Sequence, residues 1–265
     1  MKVAYVSTLT EDYVLGLKVF IKSILLNNPT TSFDYIILEE EPISAKSKFE
    51  LKQIYSNFIF KNITLTNYTD VAFSGMRQWK INPANRLEVF TLSEYDRVIF
   101  FDVDMLCTGD ISALHTVPGD FLACYEPMTH MEHQMLGFVD GFNCGVMAIG
   151  KQFLNQNTIN AMIDIMRSKE WLGNQSAFNV YFKKIYKLLP NEYFLNTPFM
   201  TTDNFNSAKI YHFCGEIKPW QNREIQATDG NFLKKKYCPY ILSKTDHILL
   251  HRLLVKYDNI LKTIV

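Results

Sequence analysis

Residues 97–104 read Arg-Val-Ile-Phe-Phe-Asp-Val-Asp, an apolar run that ends in two carboxylates two positions apart. Val98, Ile99, Phe100 and Phe101 form the unbroken hydrophobic stretch of a strand covered on both faces. Asp102 and Asp104 stand where such a strand leaves the core, and open α/β sheets bind ligands beyond the carboxyl ends of their strands. Two carboxylates held there offer hard oxygen ligands to a divalent cation, which in turn commonly bridges to substrate phosphates. The same residues also fit a strand that ends in a solvated acidic turn, and the motif alone does not separate the two readings.

The surrounding pattern places this strand among alternating strands and helices. Lys2–Ser7, Phe33–Leu38 and Phe58–Phe60 read as strands. Leu15–Leu26, with Leu17, Phe20 and Ile24 at helical spacing, and Ile43–Tyr55 read as helices. Pro83 opens a further helix that carries Arg86–Phe90, because proline suits a first turn. Beyond residue 118, Phe121–Tyr125 and Gly145–Ile149 read as strands, and Phe153–Arg167 and Ser176–Tyr186 as helices. The tail over residues 246–265 is amphipathic through Leu249, Leu253, Leu254, Ile260 and Leu261, and its mixed-charge polar face predicts docking on the core. The expectation is an α/β fold with a mostly parallel sheet and right-handed crossovers, organised as one domain over residues 1–265.

Composition narrows the function. Lys plus Arg and Asp plus Glu each number 27 in 265 residues, so no global charge argues for nucleic acid or an anionic membrane. No segment approaches the ~18 apolar residues of a membrane span. The start, Met1-Lys-Val-Ala-Tyr-Val6, lacks the marks of a signal peptide, and a soluble cytoplasmic protein is expected. The five cysteines, at 107, 124, 144, 214 and 238, are widely spaced without a CxxC, which predicts reduced, buried thiols.

A second constellation lies at Tyr211-His-Phe-Cys-Gly-Glu-Ile-Lys-Pro-Trp220. His212 offers an imidazole nitrogen to a metal, Gly215 lets backbone approach a ligand, and Lys218 supplies a point charge suited to phosphate. A lone histidine in an apolar strand is more often structural. Together with Asp102 and Asp104 it completes a set of two carboxylates and one imidazole that suits Mn²⁺ or Mg²⁺, the imidazole favouring Mn²⁺. Lys218 then stands where it can neutralise a departing diphosphate.

These motifs resemble glycosyltransferase family 8, and within it the glycogenin-like members. The marks are Val6-Ser-Thr-Leu-Thr10 followed by Tyr13, Phe100-Phe-Asp-Val-Asp104, Phe142-Asn-Cys-Gly-Val-Met147, Gly173-Asn-Gln175 and His212–Trp220, in order over most of residues 1–222. The resemblance implies a Rossmann-like GT-A fold, Mn²⁺, a UDP-sugar donor and retention of anomeric configuration. It implies that Asp102, Asp104 and His212 ligate the metal and that Thr8, Leu9, Thr10 and Tyr13 hold uracil and ribose. It further implies that Arg86, Val103, Asn143 and Gly145 line the donor, and that Gly215 and Lys218 form the diphosphate turn. Each has a plainer alternative: Tyr13 a core aromatic, Arg86 a solvated helix face, Asn143 a turn residue before a strand.

Two departures matter. The family has Asp-Gln where this chain has Asn174-Gln175, and an amide hydrogen-bonds a hydroxyl without serving as nucleophile or base. Asn174 then positions the sugar, with front-face attack assisted by the leaving diphosphate, or it marks a weakened transferase, a donor hydrolase or a nucleotide-sugar-binding protein. Second, glycogenin-like members carry a longer segment before the His212 motif, with the tyrosine that receives the first glucose. Here residues 196–206 are shorter and contain no tyrosine, and core packing explains Tyr181, Tyr186 and Tyr193. A separate saccharide or protein-linked acceptor is expected. UDP-glucose is the first-choice donor, with UDP-galactose and UDP-N-acetylglucosamine open, and a homodimer follows from the family likeness. Among the remaining candidates, Leu106 replaces the threonine that an aspartyl phosphatase motif expects. His130, Glu132 and His133 read as a surface loop, and His247 and His251 as structural.

Overall fold

The apolar runs of the first hundred residues become the centre of a seven-stranded sheet. The computed structural model describes residues 1–65, 71, 83–127, 137, 140–169, 171, 173–214, 218–220 and 247–264. The sheet contains β1 (Val3–Thr8), β2 (Asp34–Glu39), β3 (Phe58–Asn62), β4 (Arg97–Phe101), β6 (Phe121–Pro127), β7 (Asp140–Gly150) and β8 (Lys187–Leu188), in the order β3-β2-β1-β4-β7-β6-β8. The first four strands of that order are parallel, and β8 is parallel to β6. β7 runs antiparallel to both β4 and β6, so the mostly parallel expectation holds, with β7 the reversed strand.

Both faces of the sheet are covered, which is why Val98–Phe101 is apolar without alternation. One face sets Tyr5, Tyr35, Ile37, Ile99 and Phe101 against helices α1 (Val14–Asn27) and α2 (Ala45–Ile54). The other sets Ala4, Val6, Ile36, Val98 and Phe100 against a helix over Pro83–Thr91, α3 (Gln156–Arg167) and α4 (Asn174–Phe182). The Pro83–Thr91 helix is of the tighter 3-10 type. Polar caps fix helix starts: the Ser44 side chain accepts from Ser47 N and Asn155 from Thr158 N. α1 carries the chain from β1 to β2, whereas β4 pairs on the other side of β1. This reversal opens a crevice at the carboxyl ends of β1 and β4, the ends from which residues 9–13 and 102–104 continue.

A second sheet, β5 (Met105–Cys107), β9 (Leu195–Asn196) and β10 (Ile210–His212), has the order β5-β10-β9. Its strands are two or three residues long, too short to show a period in sequence. The C-terminal helix (His247–Leu261) docks Leu249, Leu250, Leu253, Leu254, Tyr257 and Leu261 on Val19, Leu106, Tyr211 and Phe213, as its amphipathic pattern predicts. His251 is exposed, and the side chain of His247 lies outside the described residues, as do His130, Glu132 and His133. Tyr193 is buried, and Tyr181 and Tyr186 pack on the core. The four described cysteines are free thiols, and burial pushes Cys107, Cys144 and Cys214 up to about 12. Among the described residues no helix is long and apolar enough to cross a membrane.

Candidate active site

Asp104 and His212 lie 108 positions apart in sequence, and the small sheet closes that gap. Antiparallel pairing sets His212 opposite Met105, and Phe213 N donates to Asp104 O at 2.9 Å. His212 Nε2 thereby comes within 3.2 Å of Asp104 Oδ1 and 3.8 Å of Asp102 Oδ2. One ligand atom from each of Asp102, Asp104 and His212 lies within 4.8 Å of the others. Cis ligands ~2.1 Å from an octahedral ion sit about 3 Å apart, so a small inward shift suffices for one divalent cation.

The histidine is oriented for that task. Its Nδ1 lies 2.8 Å from Asn196 Oδ1, and Asn196 Nδ2 in turn donates to Glu126 Oε1 at 3.2 Å. With the amide so turned, Nδ1 carries a proton, and Nε2 is the nitrogen that faces the carboxylates and is free to exchange a proton for a cation. Burial opposes charge on His212, but Asp104 and Asp102 outweigh it and raise its proton affinity. Burial likewise works against ionisation of Asp104, yet the facing His212 and Lys218 hold its carboxyl well below the usual range. Lys218 Nζ donates to Asp104 Oδ2 at 2.6 Å and to Phe213 O at 3.0 Å, and Asp104 keeps the ammonium charged despite its burial. Arg86 reaches Asp102 Oδ1 at 2.6 Å while its guanidinium covers the Phe100 ring at 4.7 Å. Its side chain is thus held against Asp102 and Phe100 and is not a solvated helix-face residue.

Opposite the carboxylates, the β6–β7 register shifts from Ala123↔Met147 to Cys124↔Asn143. Such an irregularity re-aims side chains beside a site. Gly145 O accepts from Asp102 N at 2.9 Å. A Cβ on Gly145 would fall 2.7 Å from Asn143 Oδ1 and 3.0 Å from Asp102 Oδ2, so an alanine here would push the Asn143 amide and the Asp102 carboxylate aside. Gly145→Ala is expected to weaken divalent-cation binding by about 10- to 100-fold, read by Mn²⁺ titration; unchanged affinity would contradict this geometry.

The resemblance to known proteins matches the architecture. The family model Glycosyl transferase family 8 covers residues 5–224. The chain belongs to this family. Glycogenin-2 of Homo sapiens is 26% identical over 246 residues, 88% of this chain and 46% of the human protein. Lipopolysaccharide 1,2-glucosyltransferase of Escherichia coli K12 is 23% identical over 81% of this chain and 71% of its own length. The glycogenins of human and Caenorhabditis elegans are about twice as long as the stretch this chain spans, 46% and 54% of them being covered. Among solved structures, the galactosyltransferase LgtC in complex with donor and acceptor sugar analogues superposes with a TM-score of 0.66 at 19% identity, over 92% of this chain and 96% of that one. The GT-A fold is thus shared.

In this family 8 member, Arg86, Asp102, Asp104, Asn143, Gly145, His212 and Lys218 lie side by side, and Gln175 bonds the Cys144 backbone next to them. Thr8 ends β1, and Leu9 is buried with its N donating to Leu38 O at 3.2 Å. Thr10 Oγ1 is buried without a hydrogen-bond partner among the described residues, a polar atom suited to a ligand. Tyr13 both packs on the core and meets the Trp220 ring edge-on at 5.5 Å. Val103 is buried between the two carboxylates. Asn174 is buried at the first residue of α4, and Gln175 Oε1 accepts from Cys144 N at 3.1 Å. Gly215 lies outside the described residues. Sequence reading missed Glu126, whose Oε2 accepts from Asn143 Nδ2 at 2.8 Å and Gln175 Nε2 at 2.7 Å, and also Asn196. Glu126 follows the apolar run Phe121–Cys124 near the end of β6, the same signal that flagged Asp102. Asn196 gives no signal of its own.

Proposed function

We propose that the chain is a UDP-sugar-dependent hexosyltransferase that retains anomeric configuration, uses Mn²⁺, and takes UDP-glucose as first-choice donor. The observation that carries this reading is the convergence of Asp102, Asp104 and His212 on one point, with Lys218 hydrogen-bonded to Asp104. The carboxylate–imidazole donor set fits Mn²⁺, which when bound supplies Lewis-acid charge to the diphosphate. Thr8, Leu9, Thr10 and Tyr13 hold the nucleoside, and Thr10 Oγ1 gains the partner it lacks. Lys218 and Gly215 take the diphosphate, and Lys218 places positive charge where the leaving group gains negative charge.

The sugar lies against Arg86, Val103, Asn143, Gly145, Asn174 and Gln175. Both Glu126 oxygens already accept amide hydrogen bonds, so this carboxylate orients its neighbours and does not attack C1. Asn174 contributes an amide that holds a sugar hydroxyl. The acceptor hydroxyl therefore bonds C1 on the face from which the diphosphate departs, and its proton passes to a diphosphate oxygen. The products are UDP and a saccharide or protein-linked glycoside of retained configuration. The homodimer implied by the family belongs to the same reading, and a monomeric mass at micromolar concentration removes it.

The test is UDP release from a panel of UDP-sugars with Mn²⁺, for the native chain and for Asp104→Ala. Release from one sugar, lost on chelation and in the variant, is the expected result. Asn174 in place of the family's aspartate favours one second reading, a UDP-sugar-binding protein without turnover. UDP binding with no release from any donor, acceptors present, would select it, and release without acceptor would mark a hydrolase.

A further inference from the structure

We propose that Trp220 is the positioning residue for Lys218, and that its seat between Gly16 and Tyr257 makes the C-terminal helix part of the donor site. The inference rests on the reading that Lys218 faces a donor diphosphate. The six-membered ring of the indole lies against the backbone of α1. A Cβ on Gly16 would fall 2.5 Å from Cη2, 2.6 Å from Cζ3 and 2.9 Å from Cζ2. Gly16 is the third residue of α1, in its first turn; its missing side chain is what admits the ring. Tyr257 of the C-terminal helix stacks on the indole at 6.4 Å and 22°. Tyr13 meets it edge-on, and the indole Nε1 donates to Asp12 O at 3.1 Å. Three separate elements therefore fix one ring.

Lys218 stands two residues earlier, with Pro219 between. Proline locks φ, so the position of Trp220 is passed to the Lys218 backbone with little slack. That matters because a lysine stem has four rotatable bonds, and its ammonium must sit beside Asp104 in a buried site. Gly16 and Tyr257 both contact Trp220, and neither is among the residues assigned to the donor. Their influence on it runs through the ring and the turn.

The experiment measures UDP and uridine affinities in Mn²⁺ by calorimetric competition, for the native chain, Lys218→Ala, Gly16→Ala, Tyr257→Leu and Gly16→Ala/Trp220→Phe, with folding checked by circular dichroism. Uridine lacks the phosphates that Lys218 would hold. Gly16→Ala and Tyr257→Leu are expected to lower UDP affinity by about tenfold while uridine changes by less than about threefold, mimicking Lys218→Ala. Phenylalanine lacks the outer ring that the new Cβ strikes, so the double variant is expected to recover part of the loss. An unchanged UDP-to-uridine ratio in the folded variants, or equal losses for both ligands, overturns the proposal. If Gly16→Ala does not fold, Tyr257→Leu decides by the same ratio. A native chain that binds no UDP overturns the donor reading itself and this inference with it.

Discussion

Asp104→Asn is expected to cut metal-dependent UDP release by about 10³-fold, equivalent to ~4 kcal/mol of lost transition-state stabilisation. The size follows from what this one carboxylate touches. Its Oδ1 faces His212 Nε2 at 3.2 Å and its Oδ2 accepts from Lys218 Nζ at 2.6 Å. The variant removes an anionic metal ligand and the partner of a buried ammonium together. The second loss carries a separate cost, since an ion left alone in the interior destabilises by about 3–5 kcal/mol. The melting temperature is therefore expected to fall by roughly 6–15 °C for a chain of this size. The two effects separate in the double variant Asp104→Asn/Lys218→Met, which removes the stranded charge. It is expected to regain most of the melting temperature and none of the activity. Activity within tenfold of native in Asp104→Asn, or a double variant less stable than the single, would contradict the assignment.

Glu126→Ala is expected to be nearly as damaging, although Glu126 sits outside the proposed metal-ligand group Asp102, Asp104 and His212. Glu126 gathers three side-chain amides, from Asn143, Gln175 and Asn196. Truncation leaves them without their charged acceptor. Each stranded polar group costs about 1–3 kcal/mol when dry, and water entering the cleft reduces the sum to roughly 2–4 kcal/mol. UDP release is expected to fall by about 10²-fold, because Asn143 and Gln175 line the proposed sugar pocket. Glu126→Gln gives a sharper reading. If the new side chain keeps its oxygen toward Asn143 and Gln175, its NH₂ confronts Asn196 Nδ2, and the support of His212 is lost. Metal affinity then drops by about 10- to 100-fold with little change in denaturant stability. Unaltered Mn²⁺ affinity in Glu126→Gln would show that the Glu126–Asn196–His212 chain does not orient the imidazole.

Why some of this was legible in the sequence and some was not has a physical basis. Strands buried on both faces must be continuously apolar, so Val98–Phe101 announced itself, and the carboxylates that follow mark the sheet's carboxyl edge. α1 and the C-terminal helix each present one long apolar stripe, and both were readable from spacing. The three-stranded sheet was not, since Leu195–Asn196 and Ile210–His212 hold too few residues to establish a period. Yet this sheet brings His212 to Asp104. The antiparallel reversal at β7 was equally hidden, because a buried strand reads alike in either direction. Asn196 and Glu126 act across 70 positions through one hydrogen bond, a relation that no local pattern encodes. The seat of the Trp220 indole on Gly16 joins positions 204 residues apart, and no local pattern encodes that contact either.

The central claim is that Asp102, Asp104 and His212 hold a divalent cation on which a nucleoside diphosphate sits. Electron paramagnetic resonance of Mn²⁺ tests it most directly, by titrating the free-ion signal with protein in the presence and absence of UDP. The account predicts one bound ion per chain, tighter binding when UDP is added, and loss of both in His212→Ala. Binding that ignores UDP, or that survives in His212→Ala with native affinity, would place the cation elsewhere and contradict the account.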